Sequence, residues 1–317
     1  MTNKRDIDAA FTSKGDRGIH SEPTYSGALS FLRRRYTKDL EGVDVAVTGI
    51  PLDTATTHRP GARFGPRGLR EASTNLAWER PYGCAFNPLD RLSVIDYGDC
   101  LWDHGRPEMI PAAIEAHIAG ILEAGVVPVS LGGDHFLSFP VLRAMAKQHG
   151  TLSLIHFDAH SDTWNDAEGE GRVDHGTMFY HAVKEGLVDP ARSVQIGLRT
   201  HNDDTLGFHV MDGPWVHRNG IDAVIAKTRE TVGDHKVYLT FDIDCLDPSY
   251  APGTGTPVCG GLTTAMAMEI MRGLGGLNFV GMDLVEVAPI YDVGEITSLA
   301  GATLVYEWLA AYAAGRT

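Results

Sequence analysis

The segment FDAHSDT, Phe157 to Thr163, sets Asp158, His160 and Asp162 at alternate positions directly after the apolar run LSLIH. In extended backbone, residues i, i+2 and i+4 point to one side. The spacing therefore predicts two carboxylates and an imidazole converging on one small volume. Ionised carboxylates that close repel each other unless a cation lies between them or one takes up a proton. The chemistry this asks for is a divalent metal. Acids just past a strand also cap helices and close turns, so the segment alone leaves that structural role open.

Three more polar clusters follow apolar runs. LGGDHFLSFP brings His135 just past a run ending near Leu131, and its two glycines predict a sharp turn there. LTFDIDCLDPSYAPGTGTP brings Asp242 and Asp244, again at i and i+2, and MDLVEVAP brings Glu286. Each has an ordinary structural reading: Asp134-His135 as a turn and helix cap, Asp242 and Asp244 as turn acids before Pro248, Glu286 as the buried partner of an arginine. Together they supply two imidazoles and four aspartates, too many ligands for one ion. Two cations roughly 3.5–4 Å apart, bridged by shared carboxylates, would use them all. Mixed oxygen and imidazole donors suit manganese better than zinc, and histidine is not among the usual ligands of calcium.

These clusters need elements to hold them. Short runs rich in β-branched residues recur as VDVAVTGI from Val43, LSVIDYG from Leu92, VVPVSLGG from Val126, LSLIHFD from Leu152, SVQIGLR from Ser193, KVYLTFD from Lys236 and FVGMDLVEV from Phe279. Helical stretches lie between most of them. In PEMIPAAIEAHIAGILEAG, Ile114, Ile118, Ile121 and Leu122 form the stripe of an amphipathic helix. Near-continuous apolar strands alternating with helices predict a parallel sheet covered on both faces. In such sheets ligands bind at the carboxyl ends of the strands, which is where the clusters fall. No linker, repeat or low-complexity stretch divides the chain. Residues 23–317 are therefore expected to form one domain, with residues 1–22 as a loose arm.

Composition narrows the function classes. The 317 residues are 43% hydrophobic and 21% charged, as in an ordinary globular protein. A formal net charge of -14 argues against nucleic acid, whose phosphates need a basic surface, and agrees with a cationic substrate. Cys84, Cys100, Cys245 and Cys259 are far apart with no C-x-x-C, which suits a reducing cytosol and indicates neither a disulfide framework nor a zinc ribbon. The polar N-terminus lacks a signal-peptide core, so a cytoplasmic location is expected. ITSLAGATLVYEWLAAYAA, from Ile296, carries Glu307 and several hydroxyl residues and reads as a buried terminal helix instead of a membrane span.

In combination, GGDH, DAHSDT, HGTMF, FDIDCLDPSYAPGTGTP and EVAP, with RPGARFGPRGLREAS from Arg59, resemble the signature blocks of the ureohydrolase family. That family includes arginases, agmatinases, guanidinobutyrases, formiminoglutamases and proclavaminate amidinohydrolase. The resemblance runs in the correct order from about Tyr25, and STNLAWE, GGDHF and DHGTMFY are similar to bacterial agmatinases almost letter for letter. It implies a three-layer α/β/α fold with a mainly parallel sheet, two Mn2+ per subunit and a homo-oligomer, trimer or hexamer. Carried onto this chain, it assigns His135 and Asp162 to one ion, His160 and Asp244 to the other, and Asp158 and Asp242 as bridges. It further implies that a water between the ions becomes the nucleophile at neutral pH. Asp162 would take the proton of the tetrahedral intermediate, Glu286 would hold the substrate guanidinium, and His175 would protonate the departing amine. Without the resemblance, His175 reads as a loop or capping residue. His58, His104, His117, His149, His181, His201, His209, His217 and His235 receive no role.

Substrate choice is set by less. Where arginases recognise the α-amino acid end of arginine, this chain reads TWNDAEGEGRVD, with Trp164 at a corresponding place. That departure disfavours arginine. Asp166, Glu168, Glu170 and Asp174 against the single cation Arg172 favour a small guanidino substrate ending in an ammonium. Agmatine, cleaved to putrescine and urea, is the expectation. 4-Guanidinobutyrate is the alternative if Arg172 points inward to clamp its carboxylate. A catalytically silent binding subunit and a zinc-dependent deacetylase on a related fold are the readings from other classes.

Overall fold

The computed structural model describes residues 23, 25–165 and 171–316, so the expected arm over residues 1–22 lies outside the described residues. The β-branched runs become β1 (Val45–Ile50), β2 (Val94–Asp99), β3 (Val127–Gly132), β4 (Ser153–Phe157), β5 (Val194–Ile196), β7 (Val237–Asp242) and β8 (Phe279–Val285). The sequence reading missed β6 (His209–Met211), whose three residues are too few to show a period and begin with an exposed histidine. The strands form one eight-stranded sheet in the order β2-β1-β3-β8-β7-β4-β5-β6, with every pairing parallel.

Both faces of this sheet are covered, which explains the unbroken apolar runs. Val45, Val47, Ile155, Phe157, Leu239 and Phe241 pack toward one core with helices Gly65–Ser73, Ile221–Val232, Thr264–Gly273 and Ile296–Ala314. Ala46, Leu154 and Tyr238, one residue out of step, pack toward the other with helices Ile110–Glu123, Ser138–His149 and Met178–Lys184. The result is a three-layer α/β/α architecture. The expected stripe Ile114, Ile118, Ile121 and Leu122 is buried in the second core. The terminal helix is buried nearly all round. Its Glu307 is only 1% exposed because Arg272 donates to it from both Nε, at 2.8 Å, and Nη2. Among the described residues no helix is long and apolar enough to cross a membrane, and all four cysteines are free thiols.

The expected sharp turn follows β3 as a bend at Gly133 and Asp134. Gly132 and Gly133 do not turn through left-handed backbone. They are needed for close approach: a Cβ on Gly133 would stand 2.3 Å from the Leu52 carbonyl oxygen, and one on Gly132 would stand 2.6 Å from Val285 Cγ1. This packing lets the chain leaving β3 pass tightly between β1 and β8.

Candidate metal centre

The four strands β3, β8, β7 and β4 are consecutive in the sheet, and each delivers polar side chains at its carboxyl end. His135 opens a 3-10 turn just after β3, Glu286 directly follows β8, Asp242 ends β7 with Asp244 in the turn beyond, and Asp158 directly follows β4. The Asp158–His160–Asp162 set does not converge through extended backbone, as its spacing predicts. β4 stops at Phe157, and Asp162 sits at φ 52°. Glu286 is likewise left-handed at φ 63°. Each such non-glycine residue costs about 1–2 kcal/mol and persists only where surrounding contacts enforce it. Here the Phe179 N–H donates to the Asp162 carbonyl at 3.0 Å, and the Glu286 N–H donates to the Gly133 carbonyl at 2.8 Å.

Asp158 lies at the junction of two groups. Its Oδ2 is 3.1 Å from His135 Nδ1, and its Oδ1 is 3.3 Å from His160 Nδ1. His135 Nδ1 also stands 2.9 Å from Asp162 Oδ2 and 3.4 Å from Asp242 Oδ2. His160 Nδ1 stands 3.1 Å from Asp244 Oδ2. All six expected ligands are thus gathered. Asp242 faces the first group with its Oδ2, and its Oδ1 accepts the Asp244 N–H at 2.8 Å.

The donor set fits a cation. His135 Nε2 is 2.8 Å from the Thr240 hydroxyl, whose single proton goes to the Asp283 carboxylate, so Nε2 carries the ring proton. Nδ1 faces three carboxylate oxygens without a settled hydrogen bond to any. Burial lowers the pKa of the ring, but Asp158, Asp162 and Asp242 raise it well above the usual range, so without a cation it too takes up a proton. Burial pushes the Asp242 carboxyl well above the usual range, with the Asp244 and Asp158 charges adding to it. Asp244 and Asp162 are raised for the same reasons, burial first and Asp158 second. Asp158 goes the other way: burial raises it, but the surrounding histidines hold it well below the usual range. Burial lowers His160, yet Asp244 and Asp158 outweigh this and push it up to about 12. The polypeptide alone must load protons into this cluster. Divalent cations supply the same neutralisation without them.

Above the cluster, Glu286 Oε1 accepts the His135 N–H at 2.9 Å and faces His175 Nδ1 at 3.0 Å, whereas the buried Oε2 has no partner. His175 Nε2 receives the Thr57 N–H at 3.0 Å, with the Thr57 hydroxyl at 2.8 Å. A backbone N–H can only donate, which favours the neutral ring with its proton on Nδ1. Burial also lowers the His175 pKa, but Glu286, Asp162 and Asp134 together push it up to about 9. The Thr57 N–H thus favours the neutral ring, and the surrounding carboxylates favour the protonated one. Asp134 does not cap the helical turn after it; its Oδ2 accepts the Ala55 N–H at 2.9 Å and ties down the loop that carries Thr57.

The sequence reading missed His156, which is fully buried with Nε2 2.8 Å from Asp158 Oδ2. Its signal was available, because it continues the alternation of Asp158 and His160 one step back along the strand. Thr57 had none, since it comes from a loop 118 residues before His175. Trp164 is half-buried, its ring 6.4 Å from that of His160, and its backbone N–H donates to the Gly176 carbonyl at 3.2 Å, which holds it beside the second group. Asp166, Glu168 and Glu170 lie outside the described residues. Arg172 is largely exposed and donates to Asp174 at 2.9 Å. A cavity of about 520 Å3, lined in part by Thr57, Phe136, Arg172 and Asp174, opens beside the cluster; none of the expected metal ligands lines it.

A sequence profile described as the arginase family matches residues 43–311. An agmatinase of Chromobacterium violaceum is 55% identical over 303 residues, covering 95% of this chain and 94% of that protein. A crystal structure described as a hypothetical agmatinase from Burkholderia thailandensis superposes with a TM-score of 0.92 at 53% identity, covering 96% of this chain and 97% of that one. Proclavaminate amidino hydrolase from Streptomyces clavuligerus superposes with a TM-score of 0.85 at 38% identity, covering 93% and 100%.

Proposed function

The chain belongs to the arginase family as an agmatinase-type ureohydrolase, and from that premise we propose that it hydrolyses the guanidinium group of agmatine to putrescine and urea using two manganese ions. The observation that carries this reading is the division of Asp158, whose two oxygens face two different histidine–aspartate groups. His135, Asp162 and Asp242 would hold one ion with Asp158, and His160 and Asp244 the other, with Asp242 as a second bridge. Two such ions supply concentrated positive charge that makes water a competent nucleophile near neutral pH.

The remaining steps fall to the chain itself. The unpartnered Glu286 Oε2 is the acceptor for the substrate guanidinium, a charge-assisted contact inside a buried site. Its other oxygen is already occupied, so Glu286 orients the substrate through one edge only. His175 is bonded to that same carboxylate, and the surrounding carboxylates favour its protonated form, which can pass a proton to a leaving amine. Asp162 takes the proton lost by the intermediate. Trp164 walls the path along the substrate chain. Agmatine is favoured over 4-guanidinobutyrate because Arg172, the cation that would clamp a carboxylate, is engaged by Asp174. Residues 23–317 acting as one catalytic domain, assembly into a trimer or hexamer, and a cytoplasmic location complete the reading. Urea release from agmatine, 4-guanidinobutyrate and arginine after manganese loading tests it. Agmatine should have the highest kcat/KM; a preference for 4-guanidinobutyrate refutes the substrate assignment.

A further inference from the structure

One pleat beneath the ligands, a row of buried polar side chains crosses six adjacent strands. Strand register sets Thr48 beside Ser130, Ser130 beside Asp283, Asp283 beside Thr240, Thr240 beside His156, and His156 beside Gln195. All six are 0% exposed. Polar groups fully buried in sheet strands are costly unless each is bonded, so a row of them calls for a reason. His156 stands two residues before Asp158, and Thr240 two before Asp242, so this row supports the ligand row directly.

The bonding of His156 is determined by Gln195. Gln195 Nε2 lies 2.7 Å from the Ser161 carbonyl oxygen, an atom that can only accept. That end of the side chain is therefore the NH2 group, and rotating the amide would set oxygen against oxygen. The same Nε2 lies 3.0 Å from His156 Nδ1, so it donates there as well. Nδ1 then holds a lone pair and the ring proton is on Nε2, 2.8 Å from Asp158 Oδ2. His156 lies close enough to His135, Asp158 and Asp162 to complete a metal-binding group by distance alone. A nitrogen bearing a proton cannot ligate.

We propose that His156, held by Gln195 as the Nε2–H tautomer, is not a metal ligand but a positioning residue that fixes the Asp158 carboxylate between the two ions. The proposal rests on the dinuclear reading above. Phe179 stacks edge-on to both His135 and His156, with ring centroids 5.3 Å and 4.7 Å away, and holds the ring in place. Donors behind metal ligands commonly tune affinity by about 10- to 100-fold.

The test compares wild type, His156→Phe and His156→Gln. Phe keeps the ring shape without a donor, whereas Gln restores an N–H. Manganese affinity is read by chelator competition, and the His156 protonation pattern by nitrogen NMR of the metal-free protein labelled at histidine, assigned by the signal lost in His156→Gln. The expected result is a protonated Nε2 with a bare Nδ1, manganese affinity about 10- to 100-fold weaker in His156→Phe, and substantial recovery in His156→Gln. A ring protonated on Nδ1, or His156→Phe binding manganese as tightly as wild type, overturns the proposal. So does loss of one whole metal equivalent that Gln fails to restore, because His156 would then be a ligand. Wild type binding fewer than two ions while the Nε2–H signature holds would instead refute the dinuclear reading on which the positioning role depends.

Discussion

Replacing Glu286 with Gln isolates the substrate contact from the metal site. Glu286 is 1% exposed, and its Oε1 accepts from the His135 backbone and faces His175 Nδ1. The Gln carbonyl must occupy that position, since two donors face it, so the new NH2 is forced into the place of the unpartnered Oε2. A charge-assisted hydrogen bond is worth about 1.5–3 kcal/mol. Turning a donor toward a cationic guanidinium raises the total to about 2–4 kcal/mol. At about 1.4 kcal/mol per decade this lowers kcat/KM for agmatine about 30- to 1000-fold. The fold and both ions should survive, because the backbone contacts of residue 286 and every proposed ligand are unchanged. Steady-state urea release and metal analysis on the same preparation give the answer. A kcat/KM within threefold of wild type with two ions bound would refute Glu286 as the substrate anchor. Loss of the ions would show that the carboxylate belongs to the metal site.

His175→Asn should leave manganese content near wild type and slow turnover by about 10²- to 10⁴-fold, the usual range for loss of a general acid; loss of both ions would mean that its role is misassigned. His117 provides a test of acid stability away from the metal site. Burial, with Lys38 adding and Asp99 opposing, lowers its pKa to about 4, and its Nε2 bonds the Thr48 hydroxyl at 2.7 Å. The folded ring stays neutral while the unfolded one takes a proton, so stability present above pH 6.5 is lost as pH falls toward 4. In metal-free protein, His117→Gln should flatten that acid branch in urea titrations at successive pH values. An unchanged slope would contradict the assignment.

The legible part of this structure is the part dictated by burial on both faces. Central parallel strands need unbroken apolar runs, so seven of them announced themselves, and the acids and histidines that ended those runs stood out against them. His135, Asp158, Asp242 and Glu286 were placed at strand ends correctly for that reason. The backbone of Asp162 and Glu286 was not legible, because left-handed conformations in non-glycine residues are enforced by tertiary contacts such as Phe179 N–H to the Asp162 carbonyl. Thr57 reaches His175, and Gln195 reaches His156, only through the folded arrangement of distant segments. His156 continues the alternation of Asp158 and His160, but inside an apolar strand that alternation alone does not separate it from a packing residue. Strand register is what reveals it as a member of a polar row.

The central claim is that the gathered aspartates and histidines hold a pair of neighbouring ions. Crystals of manganese-loaded protein, measured on the anomalous signal of manganese, test this most directly. Two peaks roughly 3.5–4 Å apart, with Asp158 between them, are the predicted result. A single peak, or two peaks with Asp158 bound to only one, would contradict the account.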